Sequence, residues 1–478
     1  MLLTYDDFLA CGEDEQKKTE FILSAINQHI NSTEYKKAME AQKYYDGENP
    51  TINNYEKLLY DIQGKAHVDM WTANNKIASQ FFTIAVNQGV AYLLGNGVRF
   101  SKKETKKKLG ATFDIAVMRC AKYAMIAGQA FGFWNHDHLD VFKLKEFKPI
   151  YDAKTGAIML GIRFWKLADD MPLNVTLYEL DGYTEYIQKK DSAEPLTISQ
   201  EKRPYVQIIH RTPAEGITNV EWRNYDGFPI VPLYANEEHK STLNGKRNTI
   251  DALDISRSGM VNNVSEGDLI YWVLSNAGGM DDFDDQRFLD RLKKTHIAHA
   301  DTDSGATVTP HSVAAPVDGT KVAVEDLRNT LYEDFQAFDP KAVTAGNQSA
   351  TAVKAAYANL DLKCDIDIEP QVTEFILGIL RLAGIDDAPT YQRNPVSNKL
   401  EEIQTLTMMG EYVDAEYMLK KMLTIQGDID MYEEISKRMD AENANRLKEA
   451  EARLKELEAR NERGNSTDNL GSNDTGTA

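Results

Sequence analysis

The sequence predicts an α+β chain that is mainly helical, and three patterns predict it. Apolar residues recur every three or four positions over long stretches on both sides of the centre. Between those stretches, residues 130 to 235 carry short alternating or β-branched runs split by turn signals. Further on, one apolar stripe from Val353 to Leu382 follows a short polar loop.

The elements follow in chain order. Residues 1 to 45 read as helical with polar faces, with caps at Asn31 and Ser32. Tyr44 to Pro50 is a turn cluster. A second helical zone follows Asn74 and Asn75, carries Ile77, Phe81, Ile84, Val86 and Tyr92, and stops at Gly95-Asn96-Gly97. Phe113 to Gly128 is helical again.

Val141 to Leu144, Ile162 to Trp165, Val175 to Tyr178 and Val206 to Ile209 are then strand runs. Asp152 to Gly156, Asp181-Gly182 and Asp226-Gly227 separate them, as in antiparallel hairpins. After Pro232, Ile250, Leu253, Met260, Val264 and Tyr271 keep near-helical spacing up to Gly278-Gly279. Residues 280 to 322 are mixed and loop-rich. A helix runs from about Val324 to Phe338, where Asp339-Pro340 breaks it. Ser349 is an N-cap for the long stripe, which ends at Gly384 and should kink at Pro370. Helices resume from Asn398 to Leu457, and the last dozen or so residues read as a disordered tail.

The chain has 478 residues and a formal net charge of -20. A protein that grips DNA by neutralising phosphate is usually basic, so a simple DNA clamp is excluded. An acidic wall could still surround a duplex and let it slide; solubility explains the acidity equally well. Cys11, Cys120 and Cys364 are too few and too scattered for a disulfide framework or a zinc site. The first residues do not read as a signal peptide, and no stretch approaches a membrane span.

No catalytic motif stands out. Gly245-Lys246 lacks the upstream glycine of a phosphate-binding loop, and HExxH, GxSxG and CxxC are missing. No ATP-driven motor and no cofactor is indicated. His296 and His299, with Asp301 and Asp303, resemble metal ligands, but three-residue spacing puts them on opposite faces of a strand. His136 and His138 would share a strand face without a third ligand, so no metal site is expected. Asp281, Asp282, Asp284 and Asp285 form an acidic cluster, either a solvated face or, in an enzyme reading, a divalent-cation site of a nuclease. Near the C-terminus, Glu449/Arg453, Glu451/Lys455 and Glu456/Arg460 are i,i+4 pairs. Leu447, Leu454 and Leu457 make a thin seam there, compatible with a short coiled coil or with an exposed single helix.

The order of these segments resembles one family, the portal proteins of long-tailed phages that infect Gram-positive bacteria. Tyr44-Tyr45-Asp46-Gly47, Asn75-Lys76-Ile77 and Tyr92 to Val98 look like its early turn and its asparagine-led helix. Ala127 to Phe131 resembles its helix end before the sheet. Lys148 to Asp152 with Gly161 to Trp165 resembles its strand pair, and Phe228 to Asn236 its approach to the stem. Ile250-Asp251 with Ser258 and Asn262, Ser349-Ala350 with Ala352-Val353-Lys354, and Gly410 to Glu416 are similar to its first stem helix, long helix and crown. Ala350, where the family often has glycine, and Pro370 depart from the pattern.

The resemblance implies the phage portal fold, assembling into a ring. It implies a wing at 1–245, a first stem helix at 246–279, a clip at 280–322 and a second stem helix at 323–338. A tunnel loop follows at 339–348, then a long wing and tunnel helix with its return at 349–397, crown helices at 398–445, and a charged helix and disordered tail at 446–478. It further implies a non-enzymatic ring, typically a dodecamer, in the virion at one capsid vertex, built in the host cytoplasm. Double-stranded DNA would pass in and out through it, sequence-independently. Terminase large subunit, a head-completion or adaptor protein, and capsid and scaffold proteins would be its partners. Lys341, Asn347 and Gln348 would line the channel, with capping of the preceding helix as the other role open to Lys341. Asp281, Asp282, Asp284 and Asp285 would face the docking partner. Another capsid or scaffold component is the alternative within the structural class.

Overall fold

In the computed structural model the described residues are 2–60, 64–70, 72–189, 195–212, 216–267, 270–275, 307–312, 317–341, 350–393, 406–408, 413–426 and 431–467. The chain divides into two units, Met1–Thr344 with Ala355–Pro395, and Ala345–Lys354 with Val396–Ala478.

The first unit opens with helices α1 (Tyr5–Leu9), α2 (Glu15–Asn31) and α3 (Thr33–Tyr45). Ser32 ends α2 and caps α3, its hydroxyl accepting the amide of Tyr35 at 3.1 Å. A short α4 (Pro50–Asn53) starts at Asn49, whose side chain accepts the amides of Thr51 and Ile52. A hairpin of β1 (Leu58–Tyr60) and β2 (Ala66–Val68) follows.

The next helix, α5, covers only Phe81–Leu94. Ile77, which the apolar spacing assigned to a helix, lies in the extended approach to it. After β3 (Val98–Phe100) and α6 (Lys103–Leu109), α7 (Phe113–Ala127) stops at Gly128, whose φ of 95 suits glycine.

The expected β-region is present. Strands β4 (Gln129–Asn135) and β5 (His138–Lys143) form a hairpin, and β13 (Ile230–Tyr234) pairs with β4 to complete a three-stranded sheet. A five-stranded antiparallel sheet has the order β10-β9-β8-β7-β6, from β6 (Phe147–Tyr151), β7 (Ile158–Trp165), β8 (Leu173–Glu179), β9 (Gly182–Gln188) and β10 (Thr197–Arg203). A separate hairpin joins β11 (Val206–Thr212) to β12 (Gly216–Arg223).

Helix α2 lays Phe21, Ile22, Ala25 and Ile26 on the larger sheet, against Ile150, Leu160, Ile162, Val175, Leu177 and Tyr186. The alternating burial of β9 is that of a strand with one wet face. His136 and His138 do not share a strand face: His136 has a φ of 57 in the turn between β4 and β5. His138 opens β5 beside Asp137 and Asp140.

Helix α8 is Arg247–Gly267, shorter than the expected 246–279, because Ile270–Ser275 turns into strand β14. It pairs with β15 (Thr307–Ser312), inside the segment expected to be clip. Tyr271, read as the last apolar position of the helix, is paired on that strand. The next helix, α9, is Val317–Asp334, beginning before and ending short of the expected bounds. It packs along α8.

The long stripe is one helical run in three parts. These are α10 (Ala350–Lys363), a π-helical turn (Cys364–Ile368) and α11 (Glu369–Leu382). Pro370 sits at the start of α11, directly after the π turn, where local widening of the helix accommodates its missing N–H. Gly384, with a φ of 65, closes α11: its amide reaches Arg381 O and that of Ile385 reaches Leu380 O. Strand β16 (Pro389–Tyr391) then pairs with β3.

Within the second unit, α12 (Ala415–Gln426) and α13 (Tyr432–Thr467) are described, and they pack together near the start of α13. The expected tail begins where description ends.

Candidate functional site: an anchored helix pair and its loop

Helix α8 carries a polar stripe at Asp251, Asp254, Ser258 and Asn262, all buried. Asp254 accepts the backbone amide of Ser79 at 3.0 Å, Ser258 Oγ that of Ile77 at 2.9 Å, and Asn262 Oδ1 that of Asn75 at 2.7 Å. The fit is metric. Two residues of extended chain advance about 6.6 Å, and four residues of helix about 6 Å, so alternate amides meet every fourth helical side chain. Segment 75–79 therefore runs antiparallel along α8, its amides satisfied by side chains instead of by a helix of its own.

At the other end of the stripe, Asp251 accepts from Tyr44 Oη at 2.6 Å, Asn49 Nδ2 at 3.0 Å and Thr51 Oγ1 at 2.9 Å. Asn49 Nδ2 also donates to Asp254 at 2.8 Å. Burial holds the Asp254 carboxyl above the ordinary carboxylate range despite these donors. Burial, then the Asp251 bond, pushes the Tyr44 phenol up to about 12.

Two residues past the end of α9, Gln336 has a φ of 48. The amides of Gln336 and Ala337 return to Glu333 O and Tyr332 O, a left-handed cap made without glycine. Phe335 packs on Phe81 and Phe82. Its carbonyl accepts Lys363 Nζ at 2.9 Å. Burial pulls that ammonium down to about 8, and Lys246 nearby pulls the same way.

Phe338 stacks on Tyr357 with centroids 4.2 Å apart, and its carbonyl accepts Gln88 Nε2 at 3.0 Å. Asp339 accepts Arg328 Nη2 at 2.9 Å and the amide of Lys341 at 3.1 Å. The approach to residue 342 is thus fixed by rings, a buried lysine and an aspartate turn.

The π turn has its own brace. Arg393 donates to Asp361 at 2.8 Å, to Asp365, and to Glu369 at 2.9 Å. One guanidinium so bridges three carboxylates spaced by four residues across the turn. Tyr92 Oη donates to Asp361 at 2.7 Å. These carboxylates and hydrogen bonds hold Arg393 above its ordinary value.

Of the residues singled out from the sequence, Lys341 is exposed and stands at the head of residues 342–349. The role of capping a helix that reaches Phe338 meets a helix that ends at Asp334, whose last carbonyls take backbone amides. Asn347 and Gln348 lie outside the described residues, as do Ser349, Asp281, Asp282, Asp284 and Asp285, and the group His296, His299, Asp301 and Asp303. The motifs at Tyr44, Asn75 and Ile77, and at Asp251, Ser258 and Asn262, converge on one ladder. Sequence reasoning missed Asn49, Asp254, Lys363 and Arg393. The signal for Asp254 was present, since four polar residues at three- and four-residue spacing form a stripe. Among the described residues no group of three or more His, Cys, Asp or Glu could hold a metal ion. No described helix is long and apolar enough to cross a membrane.

The family model described as phage portal protein, SPP1 Gp6-like, matches residues 25–456. The portal protein of Clostridium phage phiCD119 is 22% identical over 440 residues, covering 85% of this chain and 92% of that protein. The portal protein of Bacillus phage SPP1 is 24% identical over 403 residues, covering 77% and 76%. Among solved structures, the neck of a native GTA particle computed with C12 symmetry aligns at a TM-score of 0.39 and 9% identity, over 72% of this chain and 89% of that one. The neck of an empty GTA particle computed with C6 symmetry aligns at 0.37 and 10% identity, over 73% and 90%.

Proposed function

The chain belongs to the SPP1 Gp6-like family of phage portal proteins, and from that premise we propose how it works as a portal subunit at the capsid vertex. Copies close into a ring, a dodecamer, whose centre passes double-stranded DNA during packaging and ejection. Passage is mechanical and sequence-blind, and the chain itself catalyses nothing. The observation that carries this reading is the family match over residues 25–456.

The two helices α8 and α9 serve as the stem, rooted by the polar ladder. Residues 339–348 serve as the tunnel loop, with Lys341, Asn347 and Gln348 toward the duplex. The firm base from Phe335 to Asp339 supports this, because a loop can move over a duplex only if its root stays fixed. A lone basic residue per loop makes contact weak, as a conduit requires.

Residues between the stem helices, with Asp281, Asp282, Asp284 and Asp285, dock terminase large subunit and later the head-completion or adaptor protein. Capsid and scaffold proteins hold the outer face. Assembly takes place in the host cytoplasm before the ring enters the virion.

Negative-stain imaging and mass photometry of the purified chain test the ring; a monomer at all concentrations and salts would overturn it. Lys341→Ala and Lys341→Glu in intact rings test the loop. Shorter packaged DNA with an unchanged melting temperature is the expected result. A lowered melting temperature with normal packaging would refute the DNA contact.

A further inference from the structure

The exposed leucines of α13 have no role in the reading above. Leu447, Leu454 and Leu457 are 64%, 59% and 61% exposed, so the described residues do not cover them. In heptad terms Leu447 and Leu454 take position a, and Ala450 and Leu457 take position d. The flanks are sorted by sign. Arg446 and Arg453 both fall at g, and Glu451 and Glu458 both fall at e.

In a parallel, in-register pair, each g residue faces the e residue five places later on the other helix. Arg446 then meets Glu451 of the second copy, and Arg453 meets Glu458. An antiparallel pair would set arginine against arginine and glutamate against glutamate. The helix also carries nine acidic and eight basic side chains, a net charge of -1, within a chain of -20. Two copies of this segment can therefore approach without the repulsion the rest of the chain carries. Arg446 does bond Glu442 within the helix at 2.9 Å, but both are well exposed and such a pair is easily exchanged.

We infer that α13 docks on a second copy of itself as a parallel, in-register, two-stranded coiled coil over residues 446–458. The stripe of two positions in seven fits two strands, and small Ala450 lets the backbones close. The inference rests on the ring for one step: about two heptads are too few between free chains, and copies held in one ring supply the local concentration. A cyclic ring also gives corresponding helices the same sense along its axis, the sense the charges select.

Disulfide trapping in the full chain tests this. Cys11→Ser removes the partly exposed native thiol, and the other two cysteines are buried. Leu447→Cys and Leu454→Cys, introduced separately, should each give linked dimers under mild oxidation. Ala452→Cys, on the opposite face, should not. Arg453→Glu should lower the yield at Leu447→Cys several-fold, and adding Glu458→Arg should restore it.

Failure of both seam positions to link, or linkage at only one of them, overturns the inference, since an antiparallel pair can bring at most one position onto itself. Mass photometry on the same samples separates the two readings. Rings without linkage overturn the coiled coil alone. Linkage without rings upholds it and overturns the ring. Absence of both overturns both.

Discussion

His29 carries an imidazole into the core between α2 and the larger sheet, with Tyr35 and Phe164 edge-on at 5.2 and 6.0 Å. Its Nε2 donates to Leu144 O at 2.8 Å, which fixes the neutral tautomer. Burial pulls its pKa from the ordinary 6.5 to about 4. Between those values the unfolded chain binds more protons than the folded one, so stability rises with pH across the window. The contribution is whole above pH 6.5 and is lost as pH falls toward 4, about 3 kcal/mol at most. Melting temperature followed from pH 7 to pH 4 should show this loss, and His29→Gln should flatten the profile. Asp254 likewise holds two buried donors from distant segments. Its removal strands the Ser79 amide and one N–H of Asn49, whose Nδ2 keeps its bond to Asp251, each at about 1–3 kcal/mol. Asp254→Ala should therefore cost about 3 kcal/mol in chemical denaturation, and Asp254→Asn clearly less. None of these partners was legible in the sequence, because every bond joins residues more than a hundred positions apart, while periodicity reports only neighbours.

At the scale of elements, the sequence was most readable where a cap or a period acts locally. Ser32 dividing α2 from α3, Gly128 ending α7, and the run Val175 to Tyr178 inside β8 all stand where their residues place them. It was least readable where a distant partner takes over the backbone. Ile77 has the right spacing for α5, but Ser258 claims its amide and α5 starts at Phe81. Tyr271 continues the apolar spacing of α8, yet its β-branched and aromatic neighbours pair as strand with residues 307–312. The end of α9 offers a test. Gln336 holds a left-handed φ that costs a non-glycine residue about 1–2 kcal/mol, against which glycine carries its own entropy cost. Gln336→Gly should raise the unfolding free energy by about 0.5–1 kcal/mol in denaturant titrations. The brace on the π turn predicts the opposite sign. Arg393→Ala leaves Asp361, Asp365 and Glu369 facing one another with no cation between them. A loss of about 1 kcal/mol at low ionic strength, smaller at high ionic strength because salt screens the repulsion among the three carboxylates, should appear in denaturant titrations.

For the whole molecule, the governing quantity is the charge of -20, and its placement matters. With α13 almost neutral, nearly all of it resides elsewhere in the subunit. Every subunit added to a growing ring therefore works against repulsion from those already present. That repulsion reaches about 30 Å at 0.01 M salt and about 10 Å at 0.1 M, so it spans a subunit contact in the first case and is largely confined to it in the second. The apolar part of the contact is not weakened by salt over this range. Assembly of the purified chain should consequently be favoured by added salt, the reverse of a complex held by opposite charges. Mass photometry at fixed protein concentration, stepped from about 0.01 to about 0.3 M sodium chloride, should show rings gaining at the expense of smaller species. Arg453→Glu, which removes one of the few cross-subunit attractions inferred for α13, should need more salt to reach the same ring fraction. Rings that dissolve as salt rises would mean that charge pairing, not apolar burial, holds the subunits together.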